Sequence, residues 1–313
     1  MRLNEKTMQK ASVVISLAVL ANLLWGSAPA FIKTGYAMFR VGASDTAAQI
    51  LFAGCRFFLA GILAVILGSL LAGRPLLPTK TSWNKIGALA IFQTIVQYVF
   101  FYIGCAHAAG YKVSIACSTG SFITILFSAL LFRQEKLTVK KLLGCVLGFS
   151  GVVLVNLSGS GLNLDVTLLG EGFIIISACS FALSGALTKS FSKTEDPVML
   201  CGWQFIFGGA VMICAGLAFG GRLAIPGASG ILLILYLALV SAVAFSLNSI
   251  LIKFNPVSRV SIFGFLNPVF GVMLSILMLK ESGQEFGVRG IIALLLVCAG
   301  VLVVNFQKRE KAK

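Results

Sequence analysis

The sequence predicts an all-α, polytopic membrane protein of about ten transmembrane helices in two inverted five-helix repeats, and three observations predict it. Of its 313 residues, 58% are hydrophobic and only 11% charged, with a mean hydropathy of +0.99, a balance that ordinary soluble domains do not reach. Apolar stretches of about 20 residues, each long enough to cross a roughly 30 Å hydrocarbon core as a helix, recur along the whole chain. The chain also repeats itself weakly at about half its length. Little sequence is left outside the spans, so a soluble catalytic domain has nowhere to sit.

The first span, near 12–34, contains LLWGSAPAFIK at 23–33. In a water-soluble helix Pro29 would be costly, because it removes a backbone hydrogen bond and clashes with the carbonyl a turn earlier. Inside a membrane, neighbouring helices or a polar cavity satisfy that carbonyl. The run is too long for a signal peptide and lacks a clean cleavage site, so it reads as a permanent helix. Asn22, Trp25, Gly26 and Pro29 share one stripe of it. The second span, 47–72, carries Arg56, the one strong charge well inside a span; a substrate carboxylate or neighbouring carbonyls would satisfy it. The third, 85–106, sets Gln93, Gln97, Phe101 and Gly104 on one face with Tyr98 adjoining, and ends at His107, the single histidine, whose place suits an interfacial role better than a proton relay. The fourth covers 112–132, and the fifth, 140–156, is short and rich in glycine. In the sixth, 168–188, the stripe is Ser177, Ser180, Ser184 and Thr188. The seventh covers 198–219. The eighth, 230–252, groups Ser241, Phe245 and Asn248, and the ninth, 258–280, groups Gly264, Asn267, Pro268, Gly271 and Ser275. The tenth, 286–306, is again glycine-rich.

Four blocks recur in the same order. WGSAPAFIK (25–33) aligns with FALSGALTK (181–189), and RFFLAG (56–61) with QFIFGG (204–209). FRQEK (132–136) aligns with MLKES (278–282), and GVVLVN (151–156) with GVLVVN (300–305). The Gly- and Ser-rich link near 157–167 is the natural boundary, giving repeats over 1–157 and 168–313. Each holds five spans, an odd number, so the second enters the membrane upside down. Inverted repeats of this kind belong to secondary transporters, whose halves enclose a site near the midplane. The symmetry makes Tyr98 the counterpart of Phe245, and Phe101 that of Asn248.

The formal charge of +15 follows from topology and does not call for a nucleic-acid partner. With the amino terminus in the cytoplasm, 18 of the basic residues fall on that side and 6 on the other, the bias of a cytoplasmic face. Both termini are then cytoplasmic, and the tail KREKAK anchors at anionic lipid headgroups. The eight cysteines fall inside spans without metal-ligand spacing and read as free thiols; no metal or other cofactor is expected.

In the Trp-Gly-x-x-Pro-x-Phe-x-Lys of the first span, the Arg-Phe of the second, the Pro268-to-Glu281 spacing of the ninth and the glycine-rich fifth and tenth, the chain resembles the drug/metabolite transporter superfamily, specifically the ten-helix type with two EamA domains. The resemblance covers nearly the whole chain. It implies transport of amino acids, nucleobases, sugars, amines or other metabolites, frequently outward, and it makes the arginine of the second span resemble a scaffold element. One departure stands out: Phe122 occupies the position of Pro268, so the two fourth helices of the repeats need not hinge alike.

A crossing solute needs polar side chains along its route. The candidate substrate-binding residues are Asn22, Trp25, Gln93, Gln97, Tyr98, Phe101, Phe245, Asn248 and Asn267. The same stripes also suit close helix packing through small residues and amides. No Asp or Glu lies near the middle of a span: Glu135 and Glu281 sit at helix ends and Glu171 near a surface. That favours exchange or facilitated diffusion over a dedicated proton carboxylate. The expectation is therefore an inner-membrane secondary transporter of a small metabolite such as an amino acid, working by alternating access in the lipid bilayer. A channel-like or receptor protein is the alternative. A membrane enzyme is disfavoured, since there is no HExxH, no paired intramembrane carboxylate and one histidine.

Overall fold

A computed structural model describes residues 5–42, 44–108, 110–155, 167–224, 227–279 and 288–305. After a single turn at Glu5–Met8, ten helical rods follow. They are α1 (Ala11–Met38), α2 (Thr46–Ala72), α3 (82–107), α4 (110–131), α5 (Val139–Val155), α6 (168–191), α7 (Pro197–Ala218), α8 (Ala228–Phe254), α9 (257–279) and α10 (Val288–Asn305). Six of them are long and apolar enough to cross a membrane: α1, α2, α3, α6, α7 and α8. Shorter apolar segments occur in α4 (Ala116–Leu131) and α10 (Ile291–Asn305). The candidate repeat link lies largely outside the described residues, as do Glu281 and the basic tail.

Helix ends follow ordinary capping chemistry. The carboxylate of Asp45 accepts from the Ala48 amide at 2.9 Å, and α2 ends at Gly73 in the left-handed conformation (φ 65°). Asp196 accepts from the amides of Val198 and Met199 ahead of α7, whose first residue is Pro197. At the start of α6, Thr167 Oγ1 accepts from the Gly170 amide, while Glu171 Oε2 accepts from both the amide and the hydroxyl of Thr167. Glu171 thus satisfies donors at a helix start.

The packing is two-fold. Helices α2 and α7 lie antiparallel, with small residues letting the backbones touch. A Cβ at Gly54 would sit 3.0 Å from the Gly209 carbonyl oxygen, and one at Gly202 would sit 3.2 Å from that of Gly61. A shift of 148 residues carries Gly54 to Gly202 and Gly61 to Gly209, so each contact is the image of the other. Helices α5 and α10 behave the same way: Gly144 meets Gly300 and Gly151 meets Ala293, related by a shift of 149. Likewise α1 packs on α8 and α9, and α6 packs on α3 and α4. Copies related by a two-fold axis, each five helices long, produce this pattern.

Two local departures from regular α-helix, and one place where none occurs, bear on the candidate site. In α3 the turn over Ala90–Val96 widens to a π-helix; Ser180 of α6 donates to the Phe92 carbonyl there at 2.6 Å, and Thr94 donates to Gln204 Oε1. In α9 the stretch Ile262–Phe265 tightens to a 3₁₀ turn before Pro268, whereas α4 runs as α-helix through Phe122. Helix α1 continues unbroken through Pro29.

Candidate functional site

Where α1, α4, α6, α8 and α9 meet there is a cavity of about 30 Å³, room for one or two waters. Asn22 and Trp25 line it from α1, Ser121 and Thr124 from α4, and Phe181 and Gly185 from α6. Asn248 and Ile252 come from α8, and Val260, Ser261 and Gly264 from α9. None of these carries a charge. The prolines contribute at a distance of one turn. Pro29 deprives the Trp25 carbonyl of its usual i+4 donor and Pro268 does the same to Gly264, and both residues line the cavity. Gly26 lets α1 approach α9, since a Cβ there would meet Phe270 Cβ at 2.8 Å and the Asn267 carbonyl oxygen at 3.1 Å.

The polar atoms around the cavity are only partly committed. Asn22 is 4% exposed; its Nδ2 donates to the Ala18 carbonyl at 2.8 Å, and its Oδ1 has no hydrogen-bond partner among the described residues. The Trp25 indole N–H is also buried without one. An acceptor and a donor on one face of α1 are therefore available at this place. The Trp25 ring meets Phe181 edge-on at 6.2 Å and Phe245 at 4.9 Å.

Three of the nine residues singled out from the sequence line this cavity: Asn22, Trp25 and Asn248. Phe245 backs Trp25. The other five lie elsewhere in the bundle. Gln93 is buried at the π-helical turn of α3. Gln97 has a buried Oε1 without a partner among the described residues. Tyr98 packs on Phe57 at 4.3 Å and on Phe101 at 6.1 Å. The Asn267 backbone meets Gly26. Of the lining residues that sequence reasoning missed, Phe181 had a signal: the repeat alignment pairs it with Trp25, and the two rings meet edge-on. Ser121 and Thr124 had none, because α4 carries neither an amide stripe nor a proline there.

Different contacts lie beyond the two ends of the cavity. Toward the end of the bundle that holds the turn Glu5–Met8 and the end of α10, a polar network ties the α8–α9 junction. Lys189 Nζ donates to the carbonyls of Ile252, Lys253 and Asn255 at 2.8, 3.0 and 2.8 Å. Glu135 accepts from the Ser258 amide at 2.8 Å and from its hydroxyl at 2.5 Å, and pairs with Lys141 at 2.8 Å. Asn255 and Arg259 donate to the carbonyls of Met8 and Gln9. Toward the other end lies an aromatic cluster built on Phe57, Tyr98, Tyr102, Phe205 and Phe245. Arg56 is embedded there, 2% exposed.

The EamA-like transporter family matches residues 12–157 and again residues 168–306. The chain belongs to the EamA-like transporter family. Its relatives include the uncharacterized inner membrane transporter YedA of Escherichia coli strain K12, 28% identical over 80% of this chain and 78% of that protein. The uncharacterized transporter YvbV of Bacillus subtilis is 24% identical over 98% and 96%. A chloroplastic WAT1-related protein of Arabidopsis thaliana is 23% identical over 81% of this chain, which spans 62% of that relative's length. A solved crystal structure shares the fold with a TM-score of 0.76 at 18% identity, over 94% of this chain and 96% of that one. This EamA protein is thus a multi-pass membrane transporter, not an enzyme, and its work is to pass a small molecule across a bilayer.

Proposed function

We propose that this EamA transporter is a secondary carrier of a small metabolite, such as an amino acid or related solute. It works by alternating access between a first repeat (1–157) and a second (168–313), with both termini on the cytoplasmic side of the inner membrane. The observation that carries this reading is a pair of buried polar atoms, Asn22 Oδ1 and Trp25 Nε1, without hydrogen-bond partners among the described residues, at a cavity where five helices meet. Buried polar groups without partners cost about 1–3 kcal/mol each, and a polar solute would recover that cost. In this reading Asn22, Trp25 and Asn248 contact the solute, with Phe245 behind them. Gln93, Gln97, Tyr98, Phe101 and Asn267 act along the route as it opens. The sequence has no mid-span carboxylate, which supports exchange or facilitated diffusion.

Purified protein in liposomes tests this. A metabolite that raises the melting temperature in a binding screen should show saturable counterflow of its labelled form. Very fast, unsaturable flux would point to a channel and sink the carrier reading.

A further inference from the structure

Arg56 stands ten residues into α2, about 15 Å along the helix from its start. Its Nε and Nη2 both donate to one oxygen, Ser241 Oγ, at 3.1 and 2.8 Å. Ser241 Oγ itself donates to the Leu237 carbonyl. The guanidinium also lies 5.1 Å from the centre of the Phe57 ring. Among the described residues, one hydroxyl and one ring leave most of its five N–H donors uncommitted. The hydroxyls of Tyr36 and Tyr102 lie close to the guanidinium and to each other, yet neither reaches hydrogen-bond geometry with a described residue. Among the described residues no carboxylate forms an ion pair with it. The ten acidic residues stand at 5, 45, 135, 165, 171, 195, 196, 281, 285 and 310, none of them near the middle of a span. A buried cation without an anion is costly, and here donors converge on it from three helices.

We propose that Arg56, Tyr36 and Tyr102 form a binding station for a carboxylate, placed beyond the Trp25–Phe245 pair from the central cavity. A carboxylate supplies the missing charge and offers lone pairs to the guanidinium fork and to both phenol O–H groups. A doubly charged phosphate would overmatch a single cation. Ser241, Phe245 and Asn248 follow one another on α8, with about 10 Å from first to last. The station and the cavity are therefore successive stops on one helix, separated by an aromatic gate. This deepens the carrier reading and rests on it: the solute carries an acidic group.

The test is thermal unfolding of the purified full-length protein titrated with phenylacetate and, separately, with the uncharged phenylacetamide at matched ionic strength. Phenylacetate should bind at least about 10-fold more tightly. Arg56→Gln should abolish that preference and Arg56→Lys should keep part of it. Should Arg56→Gln fail to fold, Tyr102→Phe provides the second reading, with affinity for phenylacetate alone reduced several-fold. Equal binding of acid and amide, no binding of either, or an acid preference that survives Arg56→Gln would overturn the proposal and leave Arg56 a scaffold cation. Counterflow is scored separately. A carrier that exchanges solute without any acid preference defeats this inference alone, whereas loss of counterflow defeats the carrier reading beneath it.

Discussion

Asn248 and Gln97 are the residues at which solute recognition and helix packing make opposite predictions. Asn248 lines the cavity, and Gln97 holds a buried oxygen without a partner among the described residues. An amide that binds solute should lose about 1–3 kcal/mol on truncation, or roughly 5- to 150-fold in affinity. Asn248→Ala and Gln97→Ala should therefore both bind the screened ligand weakly while melting near the wild-type temperature. Wild-type affinity with a lowered melting temperature would assign them to packing. Glu135 poses the reverse case. Its oxygens are spent on Ser258 and Lys141, and both side chains of the ion pair are 8% exposed, so Glu135→Gln should cost about 1–3 kcal/mol of stability and leave exchange intact. Loss of proton-dependent uptake with retained exchange in a well-folded Glu135→Gln protein would instead make it a proton carrier. Glu135 was legible from the sequence as a helix-end carboxylate and Glu171 only as a residue near a surface; in the structure Glu135 accepts from Ser258 at the start of α9 and Glu171 from Thr167 at the start of α6. The partners of Arg56 were not legible, since Ser241 lies 185 positions away and no local pattern joins them.

At the level of elements, glycine placement decides which helices touch. The oxygen of Gly202 lies 2.5 Å from where a Cβ on Gly61 would be, and Gly209 faces the Phe58 amide as closely. Gly61→Leu or Gly209→Leu should force α2 from α7 and destabilise the protein by about 1–3 kcal/mol or more. Gly87→Ala has no atom within 4 Å of its new carbon and should be neutral or slightly stabilising through helix propensity. Comparing the melting temperatures of the three checks whether contact, and not glycine itself, sets the cost. The same elements show where sequence reading succeeds. Hydropathy located the helices and the half-length repeat located each helix's counterpart in the other half, because both are written in residue type at fixed spacing; which helices touch was not read from it. The π-helical turn of α3 was not legible: it rests on Ser180 and Thr94 meeting groups on other helices, and its extra backbone width shifts the stripe drawn through Gln93 and Gln97. The unequal fourth helices were legible, since Phe122 stands where the second repeat has Pro268: α9 tightens to a 3₁₀ turn just before Pro268, whereas α4 runs as α-helix through Phe122 and widens to a π-helical turn at Phe127–Leu131.

For the molecule as a whole, the contacts fix which ends lie together. Met8 meets Asn255, Arg259 meets Asn305, and Glu135 meets Ser258, so the amino-terminal turn, the α4–α5 link, the α8–α9 junction and the end of α10 share one end of the bundle. If the excess of basic residues places that end in the cytoplasm, cysteines introduced near 74–85 and 133–141, on a background lacking the native eight, should resist membrane-impermeant reagents in intact cells. Labelling at all of them from outside would reverse the orientation. The conformational prediction concerns the contacts at that same end. Lys189 holds the last carbonyls of α8, and Ile252 belongs both to the cavity wall and to the lysine's three acceptors, so this contact is the one expected to gate the cavity toward that end. Removing the ammonium in Lys189→Met withdraws three charge-assisted hydrogen bonds from the arrangement seen here, and the prediction is that opening toward this end breaks them. A loss of about 1.5–3 kcal/mol there shifts the balance between closed and open states by roughly 10- to 150-fold. A single cysteine at Ser121, on the opposite wall, reports the change. In inside-out vesicles it should react with a maleimide markedly faster in the Lys189→Met protein than in its parent. The same cysteine probed from the other side should react no faster, because the aromatic cluster around Tyr98 and Tyr102 is untouched. Equal rates in parent and variant would reduce Lys189 to a helix cap and place the cytoplasmic gate elsewhere, with Glu135 and Ser258 the next contact to break.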